Sequence, residues 1–91
     1  MTLYSQSQLA KLRWHCRRGM LELDMLLLPF FDAYFEKLSD ALQAQFVALL
    51  DCSDQDLWRW LLGYQICPEE NLLNIISKIR QYAMLSKVKM P

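Results

Sequence analysis

The chain has 91 residues, 54% of them hydrophobic and 22% charged, with ten basic and ten acidic side chains. It is too short for a second domain and too apolar for a disordered segment, and its charge is too balanced for the uniformly basic footprint of a nucleic-acid-binding protein. Two glycines and three prolines are too few turn residues for a many-stranded sheet, so helices joined by short turns are expected.

Ser5 or Ser7 is a suitable N-cap for a first helix with Leu9, Leu12 and Cys16 at helical spacing. Arg17-Arg18-Gly19 should end it, with cations at the negative end of the dipole and glycine in the left-handed C′ position. The second helix is expected from about Met20 to Lys37, burying Leu21, Met25, Leu28 and Phe31, with Phe35 and Leu38 beyond and a kink at Pro29. Ser39 or Asp40 should cap a third helix whose stripe is Leu42, Phe46, Leu49 and Leu50. Ser53-Asp54-Gln55-Asp56 fits a capping box opening a short fourth helix that ends near Gly63, with Leu57, Trp60 and Leu61 inward. Pro68, followed by Glu69 and Glu70, suits the first turn of a fifth helix that buries Leu72, Ile75, Ile76, Ile79 and Tyr82. The expected fold is therefore all-α: one compact five-helix domain over residues 1–91, its core between about residues 7 and 85, with a frayed tail at 86–91.

Charge is uneven along the chain. Residues 11–18 carry Lys11, Arg13, Arg17 and Arg18 without an acid, residues 19–56 are acidic apart from Lys37, and the end is basic again. Alternating signs suit a protein partner with a complementary surface. The apolar run Met25–Phe31 is far shorter than the roughly 20 residues of a bilayer span, so no membrane insertion is expected. Three widely spaced cysteines make neither a CxxC pair nor a disulfide framework, which favours a reducing compartment. The arginine-bearing N-terminus runs directly into the most informative motif, so it is taken as mature protein in a bacterial cytoplasm.

Evident catalytic or metal-binding chemistry is missing from the pattern. His15 is the single histidine and lies about 100° around the helix from Cys16. No set of residues has zinc spacing, and the two glycines are too far apart to form a phosphate loop. No catalytic residues, no metal site and no stably bound cofactor are expected.

What remains is Arg17-Arg18-Gly19-Met20-Leu21-Glu22-Leu23-Asp24, where two helices meet. Each residue has an ordinary explanation in helix capping and turning. The same junction also places two guanidinium forks beside a backbone without a Cβ, a surface that a partner could approach closely. Arg18-Gly19-x-x-Glu22, preceded by Cys16-Arg17 and followed by Leu23-Asp24, resembles the RGxxE signature of the succinate dehydrogenase flavinylation factors. Asp54-x-Asp56-Leu57-x-x-Trp60 is similar to the family's acidic D-x-D-[LI]-x-x-W stretch, and Pro29-Phe30-Phe31 and Leu49-Leu50 also match. The resemblance spans about Leu9 to Arg80. It implies a compact five-helix protein that acts as an assembly chaperone rather than an enzyme. Its partner would be the flavoprotein subunit of succinate dehydrogenase, or the related fumarate reductase, and it would act on the FAD of that partner, whose own histidine attacks the flavin. Arg18 and Gly19 would make the central contact, with Glu22 orienting Arg18 or meeting the partner. Arg17, Asp54, Asp56 and Trp60 would lie on or beside the same surface.

Trp60, spaced with Leu57 and Leu61, also fits plain core, which leaves Trp58 as the better exposed aromatic. The factor is expected to be a monomer without a nucleic-acid partner. Two rival classes remain: an antitoxin-like protein, and a helix-turn-helix regulator whose Glu22 and Asp24 would repel DNA phosphates. A thiol enzyme built on His15 and Cys16 ranks last.

Overall fold

The computed structural model describes residues 4–85, and within them five α-helices and one 3-10 turn surround a single core. They are α1 (Gln6–His15), α2 (Leu21–Tyr34), the turn Phe35–Lys37, α3 (Asp40–Leu50), α4 (Asp54–Leu61) and α5 (Glu70–Leu85). The expected tail at 86–91 lies outside the described residues.

Three serines start three of the helices, each by the same chemistry. Ser5 Oγ accepts from Gln8 N–H while the Gln8 side chain accepts from Ser5 N–H, a reciprocal capping box. Ser39 Oγ accepts from Leu42 N–H and Ser53 Oγ from Asp56 N–H, both at 3.2 Å. Gly63 follows α4 with φ +85°, the left-handed conformation that ends helices.

The elements meet in an aromatic cluster. Phe31 stacks on Phe35 at 4.8 Å between centroids, Phe35 meets Phe46 of α3 edge-on at 5.5 Å, and Phe30 meets Tyr82 of α5 at 5.7 Å. Gln43 Nε2 donates to the Phe35 carbonyl at 2.8 Å, fixing the start of the 3-10 turn to α3. On the outside, Arg13 grips Asp32 with a bidentate fork at 2.9 and 3.0 Å, joining α1 to α2. The Arg13 hydrogen bonds hold the Asp32 carboxyl below the usual carboxylate range. This stabilisation is present above the ordinary carboxylate pKa and is lost as pH falls. Because both side chains are about half exposed, the contribution is small.

The structure departs from the sequence expectation at several places. α2 ends at Tyr34 and passes into the 3-10 turn instead of continuing to Lys37. Of the capping box expected at the start of α4 only the bond to Ser53 Oγ forms, the Asp56 carboxylate turning to Arg59. α2 buries Leu23, Leu26, Leu27, Phe30 and Phe31, and leaves Leu21 and Met25 exposed. The expected stripe is thus rotated, because the run Met25–Phe31 is apolar on every side and offers no polar face to set the phase. α1 stops at His15, so Gly19 (φ +83°) is the turn into α2 and not the C′ residue of α1. Pro68 precedes α5 by two residues and does not occupy its first turn.

Candidate functional site

The segment between α1 and α2 is short, yet it is tied to four helices through Arg18. The Arg18 backbone N–H donates to Asp24 Oδ1 at 2.6 Å in the first turn of α2. Its side chain crosses to the α3–α4 corner, where Nε donates to Asp54 Oδ1, Nη1 to the Leu50 carbonyl and Nη2 to the Cys52 carbonyl, each at 2.7 Å. A fourth, longer bond runs from Nη1 to the His15 carbonyl at 3.3 Å. Leu50 is the last residue of α3, whose final carbonyls have no partner within the helix, and Cys52 lies two residues beyond it; a guanidinium there also meets the negative end of the dipole. Asp54 sits in the first turn of α4, where a carboxylate is favoured. The Arg18 side chain is 16% exposed. One planar fork therefore closes the end of α3, the start of α4 and the end of α1 together.

This arrangement leaves the neighbours of Arg18 on the surface. Gly19 is exposed, and a Cβ built on it would meet nothing within 4 Å. Arg17 is exposed, with its guanidinium carbon 5.9 Å from the centre of the Trp14 ring. Trp14 is itself 69% exposed. The Glu22 side chain is half-buried and makes no hydrogen bond or ion pair among the described residues. Asp24 and Asp54, rather than Glu22, orient Arg18. Asp56 is engaged within α4, accepting from Arg59 Nη2 at 2.8 Å. Trp60 packs in the core at 7% exposure, because it shares the inward face with Leu57 and Leu61. Trp58 is half-buried and stacks on Tyr64. Sequence reasoning overlooked Trp14. Its signal was available: a tryptophan three residues before Arg17, off the Leu9–Leu12–Cys16 stripe.

Cys16 is fully buried beneath the junction, and burial pushes its thiol up from its ordinary value to about 12. A thiol held protonated in apolar surroundings is a poor nucleophile. Alkylation of the folded chain near pH 8 should modify half-buried Cys52 first and reach Cys16 only on unfolding. Mass spectrometry of the two peptides would check this, and early labelling of Cys16 would contradict it. The raised pKa also fixes a sign. The unfolded thiol ionises first, so this contribution to stability is complete below about pH 9 and is lost as pH rises towards 12. Among the described residues, no group of three or more His, Cys, Asp or Glu side chains could hold a metal ion.

Fold and junction together define a small all-α protein whose distinctive feature is an exposed interhelical loop held rigidly from behind. Such a loop is suited to contact with another macromolecule. The chain belongs to the family described as flavinator of succinate dehydrogenase, whose model matches residues 10–83. It is 44% identical over 87 residues to the FAD assembly factor SdhE of Vibrio vulnificus (strain CMCP6), covering 96% of this chain and all of that protein. It is 47% identical over 79 residues to the FAD assembly factor SdhE of Idiomarina loihiensis, covering 87% of this chain and 82% of the other. The solution structure of a UPF0350 protein superposes with a TM-score of 0.76 at 43% identity, covering 94% of this chain and 90% of that one.

Proposed function

We propose that this chain is an assembly factor that binds the flavoprotein subunit of succinate dehydrogenase and promotes covalent attachment of its FAD. The observation that carries this reading is the family match, which spans the junction and the α3–α4 corner that braces it. The factor works as a chaperone: it holds the client in a reactive conformation while the client supplies the nucleophile and the flavin. It acts as a monomer in the bacterial cytoplasm and keeps no cofactor of its own. The flavoprotein of fumarate reductase, a chemically similar client, is served by the same surface. No helix among the described residues is long and apolar enough to cross a membrane.

On this reading the labour divides within the RGxxE segment. Arg18 is the brace, and Arg17, Gly19 and Glu22 are the groups left free to touch the client. Trp14 adds an apolar face beneath Arg17.

The test is flavin fluorescence of the denatured succinate dehydrogenase flavoprotein on a gel, prepared with and without the factor. Fluorescence that depends on the factor supports the assignment, and equal fluorescence in both lanes removes this client. Glu22→Ala provides a finer check. It should cost less than about 1 kcal/mol of stability, the size of a first-turn dipole effect, while weakening client capture in a pull-down. Unfolding of this variant would show Glu22 to be structural.

A further inference from the structure

A second surface lies at the other end of α4, which is eight residues and about 12 Å long. Past Gly63 the chain runs back to α5, and the loop and α5 enclose a groove of about 750 Å³. Tyr64, Ile66, Leu73 and Met84 line it, all of them exposed, Ile66 at 84% and Met84 at 81%. The Arg80 side chain lies across Gly63, where a Cβ would come within 2.6 Å of Nη2, so the glycine is what admits the guanidinium. Among the described residues Arg80 makes no hydrogen bond or ion pair, and no Asp or Glu lines the groove.

Four large apolar side chains exposed together exceed the scattered exposure that is ordinary for a monomer. A cation without a counter-charge in the same groove specifies the sign of whatever covers them. We propose that this groove docks an apolar segment of a partner protein that carries a carboxylate opposite Arg80. Two other occupants fit less well. The sequence after Leu85 contains Lys87 and Lys89 and no acidic side chain, so its side chains would bring like charge to Arg80. A second copy packed groove to groove would offer Arg80 no carboxylate, since a two-fold interface pairs a surface with itself and no Asp or Glu lines the groove. The groove is separate from the RGxxE junction, so its occupancy does not depend on the reading of that junction.

The test uses the full chain and two amphipathic peptides of about 15 residues, enough for a marginal helix. Both carry leucines at helical spacing, flanked by glutamates in one and by lysines in the other. Methyl NMR titration should show saturable shifts at Ile66, Leu73 and Met84, with the glutamate peptide bound about tenfold more tightly. Arg80→Glu, a change at an exposed side chain, should reverse the order, and Gly19→Arg should leave it intact. Equal affinities, an unreversed order in Arg80→Glu, shifts elsewhere or no binding of either peptide would overturn the proposal. Self-association in sedimentation that disappears in Ile66→Asp would assign the groove to a second copy and would likewise overturn it.

Discussion

Arg18→Ala is expected to lower the unfolding free energy by about 2–4 kcal/mol, the range for removing one partner from a mostly buried, charge-assisted network. The loss has two parts. The Leu50 and Cys52 carbonyls lose their donors at the end of α3, and Asp54 keeps a charge without its counter-ion. For a chain of this size the melting temperature should fall by about 10–25 °C, readable by circular dichroism. Arg18→Lys should recover little, because an ammonium cannot reach three acceptors in one plane. Asp54→Asn should cost less than Arg18→Ala, since an amide oxygen can still accept from Nε while both carbonyls keep their donors. A melting temperature for Arg18→Ala within a few degrees of wild type would mean that the clip is dispensable, which would return the guanidinium to the list of client contacts.

That experiment separates two roles which the sequence leaves merged. Arg17 and Arg18 are adjacent and chemically identical, and no local pattern says which turns inward. The deciding partners, Leu50, Cys52 and Asp54, lie 32–36 residues away, and only tertiary structure brings them to Arg18. Local chemistry was far more legible. Ser5, Ser39 and Ser53 are short polar side chains placed just before amphipathic runs, and each caps the helix it precedes. The inward face of α4 was equally clear, because Asp54, Asp56 and Arg59 mark its outer side. In α2 the acids Glu22, Asp24 and Asp32 flank the run Met25–Phe31, which is itself apolar on every side. The phase of that run was therefore set by what α3 and α5 offered, and Leu21 and Met25 came out exposed.

The exposed side of the junction yields the other large effect. Gly19→Arg should leave a folded protein that no longer supports flavinylation. Internally the substitution meets no obstruction, since nothing lies within 4 Å of a Cβ at this position. The cost to the fold is the positive φ of 83°, about 1–2 kcal/mol for a residue with a side chain. That is well below the loss expected for Arg18→Ala, so the variant should melt only modestly below wild type. The cost to docking is of another kind. An arginine side chain placed between Arg17 and Glu22 stands where the client backbone would approach, and it cannot retreat into the protein because Arg18 already fills the space behind the loop. Gly19→Ala separates the two causes, as it carries the same backbone strain with one carbon of bulk. Covalent flavin lost in Gly19→Arg but retained in Gly19→Ala, with both proteins folded, would assign the effect to steric exclusion of the client. Equal loss in both would point to backbone conformation. Full activity of a folded Gly19→Arg would show that the client does not meet the loop at all, and the contact surface would then have to be sought elsewhere, the groove beside Arg80 first.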